Sequence, residues 1–169
     1  MFRKRRLKWL GPLVSDEGFS LHFGYKGIYY TDERGTFGFS WEGNELIPKP
    51  WQEINVPYKL RGNPALLDQQ QLSVIVGRII RGALFDDREI EVWHGDFRLG
   101  YSDKTVSYTD ERGSLQFSCE DGVLIPRLRL LSEKSVVLDQ QHLDEIIERI
   151  ISGTRSDGMT LTCSSIEAG

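Results

Sequence analysis

Six residues occur twice, letter for letter, 78 positions apart: Tyr30-Thr31-Asp32-Glu33-Arg34-Gly35 and Tyr108-Thr109-Asp110-Glu111-Arg112-Gly113. Each copy lies between runs of alternating apolar and polar residues, Ile28 to Thr31 and Thr36 to Trp41, then Val106 to Thr109 and Ser114 to Cys119. Alternation on both sides of a short polar segment that ends on glycine is the pattern of a β-hairpin. Leu67-Asp68-Gln69-Gln70 also returns, as Leu138-Asp139-Gln140-Gln141, 71 positions on. A chain with two such echoes in the same order reads as a tandem duplication of one small module.

The module can be traced element by element. Phe19, Leu21, Phe23 and Tyr25 alternate with Ser20, His22 and Gly24, as in a half-buried strand. The hairpin follows, then a turn at Glu42-Gly43-Asn44 leading to Leu46-Ile47-Pro48, matched by Glu120-Asp121-Gly122 and Leu124-Ile125-Pro126. A proline there suits an edge or exit position. Leu72, Ile75, Val76, Ile79 and Ile80 then form one helical stripe, repeated by Leu143, Ile146, Ile147, Ile150 and Ile151. Asp68 and Asp139 stand where N-caps belong, with Gln71 placed for a capping box, and Gly82 and Gly153 are expected to stop the helices. Short alternating runs at Glu89 to Trp93 and Met159 to Cys163 close each copy.

The expected fold is therefore α+β, a two-layer module used twice: an antiparallel β-meander, one amphipathic helix and a closing strand. The expected division is a basic arm over 1–12, a first module over 13–93 and a second over 94–169. The fall in offset from 78 to 71 places a seven-residue insertion in the first copy, around Trp51, Tyr58, Lys59 and Arg61. Insertions between matched elements are surface loops that carry what is specific to one copy.

Charge separates the copies further. Met1 to Ala83 holds 12 Lys and Arg against 8 Asp and Glu, whereas Leu84 to Gly169 holds 9 against 17. Five of those first 12 positive charges lie in Arg3-Lys4-Arg5-Arg6-Leu7-Lys8, next to Trp9. Such an arm could meet phosphates, but an otherwise acidic chain repels a nucleic-acid backbone, so nucleic acid is not the expected partner. The charge split fits either a solvated basic tail on an acidic protein or a second copy that presents an acidic face to a basic protein partner. Candidate partner-binding residues are Trp51, Tyr58 and Arg61 in the insertion, and Asp86, Asp87, Glu89, Glu91, Asp96, Asp103, Glu120 and Asp121 in the acidic set.

No motif carries catalysis or a cofactor. His22, His94 and His142 are not repeated and lack metal-ligand spacing, no glycine-rich loop opens a helix, and no Gly-x-Ser-x-Gly elbow is present. No catalytic residue, metal or cofactor is assigned. The repeated Thr-Asp-Glu-Arg-Gly segment offers two carboxylates and an arginine, which fits a polar turn, a contact surface or, least well, a reaction centre. Cys119 and Cys163 have no repeated counterparts and read as small apolar side chains, in keeping with a reducing, cytoplasmic setting. No apolar run approaches the ~20 residues that a membrane helix needs. The basic start is interrupted by Gly11 and Pro12 and does not fit a secretory signal.

Gly27-x-x-Tyr30-Thr31-Asp32-Glu33-Arg34-Gly35, then Glu45-Leu46-Ile47-Pro48, then the amphipathic helix, resembles the small strand-hairpin-helix domains of immunity proteins in bacterial polymorphic-toxin systems. The second copy departs from it, with Val123 in place of Glu45 and no glycine opposite Gly27. The resemblance implies a cytoplasmic, non-enzymatic inhibitor, monomeric or homodimeric, that binds one cognate toxin. It assigns no contact residue. An adaptor that assembles through strand edges is the alternative, and an enzyme with a cleft between the modules is a third class.

Overall fold

A computed structural model gives the fold and describes residues 1–4, 11–56, 60–120, 123–130 and 139–163. Trp9, Tyr58, Lys59 and Asp121 lie outside the described residues. The chain forms one mixed sheet with two helices packed on it, an α+β arrangement. In chain order the strands are β1 (Phe2–Lys4), β2 (Leu13–Ser15), β3 (Ser20–Phe23), β4 (Gly27–Asp32), β5 (Gly35–Glu42) and β6 (Glu45–Pro50). Helix α1 (Gln69–Phe85) follows. Then come β7 (Ile90–Trp93), β8 (Arg98–Tyr101), β9 (Thr105–Asp110), β10 (Gly113–Glu120), β11 (Val123–Leu130), α2 (Gln140–Ser156) and β12 (Thr162–Cys163).

Spatial order follows chain order through all 12 described strands. Neighbours are antiparallel except where a helix intervenes: β6 runs parallel to β7, and β11 parallel to β12. Parallel neighbours need a crossover connection, and each helix supplies it between the two strands it joins. Because β7 pairs with β6 on one side and β8 on the other, the sheet continues without a break across residues 93 and 94.

Burial follows the period of each element. Ile28 and Tyr30 on β4, Phe37, Phe39 and Trp41 on β5, and Val106, Tyr108, Leu115 and Phe117 on β9 and β10 face the helices. They meet Ile75, Val76, Ile79 and Ile80 of α1 and Ile146, Ile147 and Ile150 of α2 in one core. Each such aliphatic stabilises by about 1.5–3 kcal/mol on burial. Both N-caps form as expected: Asp68 accepts from the Gln71 N–H with the reciprocal bond in place, and Asp139 accepts from the His142 N–H.

Three expectations change. Gly82 and Gly153 do not end the helices, which run on to Phe85 and Ser156. They lie where the helices press on the sheet: an added Cβ would strike Leu21 at Gly82, and would come within 2.6 Å of Leu99 at Gly153. Pro48 is not at a sheet edge, since β6 is flanked by β5 and β7. It falls within a register shift between Phe39 and Trp41, and Pro126 falls within the matching shift between Phe117 and Ser118. A bulge relieves the ladder of the N–H that proline lacks. The start of the basic arm is also tied down, because β1 pairs with β2 and Phe2 packs against Phe19 and Phe85 at 5.6 Å.

Candidate functional site

The repeated hexapeptide is the natural place to look first, and its geometry is structural. In the first hairpin the Asp32 carboxylate accepts from the Arg34 backbone N–H at 2.9 Å, from the Arg34 guanidinium, and from the Tyr30 hydroxyl at 3.0 Å. Arg78 of α1 donates to that hydroxyl at 2.6 Å. The second hairpin repeats the chain: Arg149 of α2 donates to Tyr108 at 3.1 Å, Tyr108 to Asp110 at 3.1 Å, and Arg112 closes on Asp110 at 2.9 Å. Each helix arginine also lies over a phenylalanine stacked on the tyrosine, Arg78 over Phe19 and Arg149 over Phe97. Gly35 and Gly113, at φ of 121° and 145°, make a turn that a side chain would strain.

Electrostatics agree with this role. Burial pushes the Asp32 carboxyl up, but the Arg34 side chain and backbone and the Tyr30 hydroxyl outweigh it and hold it below the usual carboxylate range. For Asp110 the same contest between burial and Arg112, with Tyr108 assisting, has the same outcome. Burial raises both tyrosines. The carboxylates are ionised and fully engaged in holding turn to helix. Glu33 and Glu111 remain exposed at the turn tips.

The helix C-termini differ between the halves. Asp86 caps α1 and pairs with Arg88 at 2.7 Å, and Arg88 lies over Phe23. Asp157 caps α2 and is fully buried, accepting from the Tyr101 hydroxyl at 2.6 Å with His94 Nε2 at 3.0 Å. Burial, and after it the Asp157 charge, drives the Tyr101 hydroxyl well above its ordinary pKa. Tyr101 stands where the first half has Phe23, and His94 where it has Asp16.

The sheet face away from the helices shows the largest contrast. On β4 and β5 it is occupied by the insertion. Trp51 donates its backbone N–H to Gly38 at 2.7 Å and its indole N–H to Ser40 at 2.7 Å, and packs edge-on against Tyr29. A Cβ at Gly27 or Gly38 would overlap the indole. Arg61 then bridges Thr36 beside β5 and donates to the Gln52 carbonyl. So Trp51, expected as a partner anchor, is half-buried against its own sheet, and Arg61 is engaged in closing the same strap.

On the second half that face carries, among the described residues, a polar row. Glu91 lies opposite Gly100, Gly100 opposite Ser107, and Ser107 opposite Gln116. A groove of about 160 Å³ runs over these residues, bordered by Asn44, Glu89, Ser102 and Thr105. At the junction of the halves, Arg98 pairs with Glu45 and with Glu91 (3.3 Å), and Trp93 donates to Glu45 at 3.1 Å.

Of the acidic set, the structure gathers some members and separates others. Asp87, Glu89 and Asp103 line a second groove of about 460 Å³ together with Leu84, Arg88, Ser102 and Lys104. Glu120 lies at the same sheet end, since Cys119 next to it donates to the Lys104 carbonyl. Glu89 borders both grooves, Glu91 lines the outer-face one, and Asp86 is held by Arg88. Asp96 is at the opposite end, in the turn between β7 and β8, paired with Arg149 at 3.0 Å. Comparison with family models, curated proteins and solved structures gives no match.

Asn44, Gly100, Ser107 and Gln116 were not singled out by sequence. None carries charge or a motif, and only strand register sets them side by side. Among the described residues no group of three or more histidine, cysteine, aspartate or glutamate side chains is placed to hold a metal ion, and no helix is long and apolar enough to cross a membrane.

Proposed function

We propose that the chain is a tandem duplication serving as a non-enzymatic, cytoplasmic protein-binding protein, specifically an immunity-type inhibitor that neutralises a basic toxin or effector. One observation carries this reading: Asp87, Glu89 and Asp103 converge on a single groove at the sheet end that also holds Glu120. Carboxylates gathered on one rim steer a basic surface into register and speed encounter more than they tighten the complex. The paired hairpins and arginine–tyrosine–aspartate chains support the duplication, because the Arg78–Tyr30 and Tyr30–Asp32 bonds recur as Arg149–Tyr108 and Tyr108–Asp110. On this reading the repeated turns hold the scaffold, and the inhibitor surface lies where the end of the first module meets the second.

The experiment is capture of the partner by the full chain in its source cells, followed by assay of the captured protein's own activity. A basic enzyme silenced at equal stoichiometry is the expected result. Reversal of Glu120 and Asp121 to lysine should then slow association and weaken its salt dependence. Association unaffected at low ionic strength would remove the acidic end from the interface.

The adaptor alternative has its own observation. Glu45 and Leu46 pair with Glu91 and Val92 as Val123 and Leu124 pair with Thr162 and Cys163, so β12 stands to β11 as β7 stands to β6. The far side of β7 receives β8, and a second chain could supply the equivalent strand to β12. Light scattering that shows concentration-dependent higher oligomers without any partner would favour that reading over the inhibitor.

A further inference from the structure

Independently of the acidic end and its basic partner, we infer that β1 is an exchangeable arm, and that the edge of β2 is the docking surface for β1 of a second copy of this chain. The halves differ at this edge. β7 pairs with β8 as β2 pairs with β3. The other edge of β7 is filled by β6, a six-residue strand that runs parallel to it. The other edge of β2 is filled by three residues, Phe2 to Lys4, running antiparallel. The space under each helix differs in the same way. At Gly153 of α2 an added Cβ would lie 3.4 Å from the His94 ring, which follows directly on β7. The β2–β3 turn, Asp16-Glu17-Gly18, carries no ring, and at Gly82 of α1 the place beside the glycine is taken by Phe2, 3.6 Å from an added Cβ. The first half therefore closes its edge and its core only with a strand delivered from outside the meander.

The contacts of β1 are the same whichever chain carries it. Phe2 meets Phe19 edge-on and Phe85 at a tilt, both at 5.6 Å between ring centres, and the Met1 carbonyl accepts from the Asp16 N–H at 3.2 Å. Phe2, Arg3 and Lys4 stand opposite Ser15, Val14 and Leu13. All these partners lie at residue 13 or later, so β1 of a second copy makes the same set. The connection has the reach. Lys4 and Leu13 are directly opposed, where a tight hairpin turn would be enough, yet eight residues, 5 to 12, join them. Extended, a stretch of that length spans about 30 Å, against about 5 Å between neighbouring strands. Exchange keeps every contact and sets against them only the association of two chains, so it is governed by concentration. Reciprocal exchange uses both arms and closes on a two-fold pair, whereas strand addition at β12 is open-ended.

The test is a disulfide trap in the full chain. Arg3→Cys and Val14→Cys are placed in separate chains with different tags, which are mixed and mildly oxidised. Opposed Cα atoms in an antiparallel pair lie about 4.5–5.5 Å apart, within disulfide reach. Expected is a mixed-tag dimer that rises with protein concentration, about tenfold or more above the dimers that either variant forms alone through Cys119 or Cys163. Adding Phe2→Ala to the Arg3→Cys chain should remove most of it, and if that variant does not fold, the trap decides alone. A mixed-tag dimer no more abundant than those controls, while the double variant in one chain closes its own bridge, would overturn the inference. Should the double variant not close either, light scattering of the unmodified chain decides. A concentration-dependent dimer that Phe2→Ala abolishes supports exchange. A monomer at every concentration, or an oligomer that Phe2→Ala leaves intact, overturns it. Neither result touches the acidic end as a partner surface, so the two readings fail separately.

Discussion

The sheet's outer surface over β4 and β5 and that over β9 and β10 share one backbone plan and have opposite fates. Over the first, Trp51 is drawn down onto Gly27 and Gly38 and bonded to Ser40, so the face is internal. Over the second, serine, threonine and glutamine side chains border a polar groove among the described residues, with the Glu91 carboxylate beside it paired to Arg98. Seven residues present in one half and absent from the other make the difference. Where two stretches follow one strand plan, the residues they share show what that plan requires, and the unshared ones mark where the stretches can differ in task.

The strongest way to break this comparison is to attack what the halves share. Ile79 and Ile150 occupy equivalent places and are both fully buried. Ile79→Asp and Ile150→Asp should each cost more than about 4 kcal/mol, because an unpaired charge enters the core. Insoluble or unfolded protein is expected for both, and a normal thermal melt for either would show that the two helices do not share one role.

Next in size come the helix caps, where the halves should diverge. Asp157→Ala strands the Tyr101 hydroxyl and His94 in a buried pocket, at a cost of about 2–3 kcal/mol. Asp86→Ala breaks a more exposed pair and should cost under about 1 kcal/mol. Equal losses in denaturant melts would mean that burial is not what distinguishes the two caps.

Trp51→Ala tests the strap itself. Loss of a packed indole should destabilise by about 2–3 kcal/mol in urea unfolding. If stability holds while dissociation of a captured partner quickens, the insertion belongs to the interface and the contrast between the faces is inverted.

The smallest effects sharpen the shared relay. Tyr30→Phe and Tyr108→Phe each remove one bond to a carboxylate and one from an arginine, for about 1 kcal/mol apiece. Asp32 and Asp110 are held below the ordinary range, so their stabilisation is complete above the unfolded carboxylate value of about 4 and is lost as pH falls through the folded one. Melting temperature should therefore drop below pH ~4, and Asp32→Asn with Asp110→Asn should flatten that drop.

Much of the architecture was legible in the sequence, because its signals are local. The hairpin glycines, the Asp68 and Asp139 caps and the helix stripes each act within a few residues, and all appear where the pattern puts them. Gly82 and Gly153 misled because a glycine near a helix end can also be a contact point, and only the position of Leu21 or Leu99 across the layer decides which. Trp51 was legible as a feature of the insertion, but the direction in which it packs depends on Gly27 and Gly38 on two other strands. Asp96 and Asp103 are seven residues apart in sequence yet lie at opposite sheet ends, so a count of charges could not define a face. The row from Glu91 to Gln116 exists only as register across four strands.

Hydrogen–deuterium exchange of the full chain, with and without its captured partner, tests the central claim most directly. Protection on binding should fall on residues 87–89, 102–104 and 118–120, while 38–41 and 50–56 exchange as in the unbound chain. Protection of the strap around Trp51, with 87–89 and 102–104 unchanged, would contradict the assignment of the acidic end to the partner.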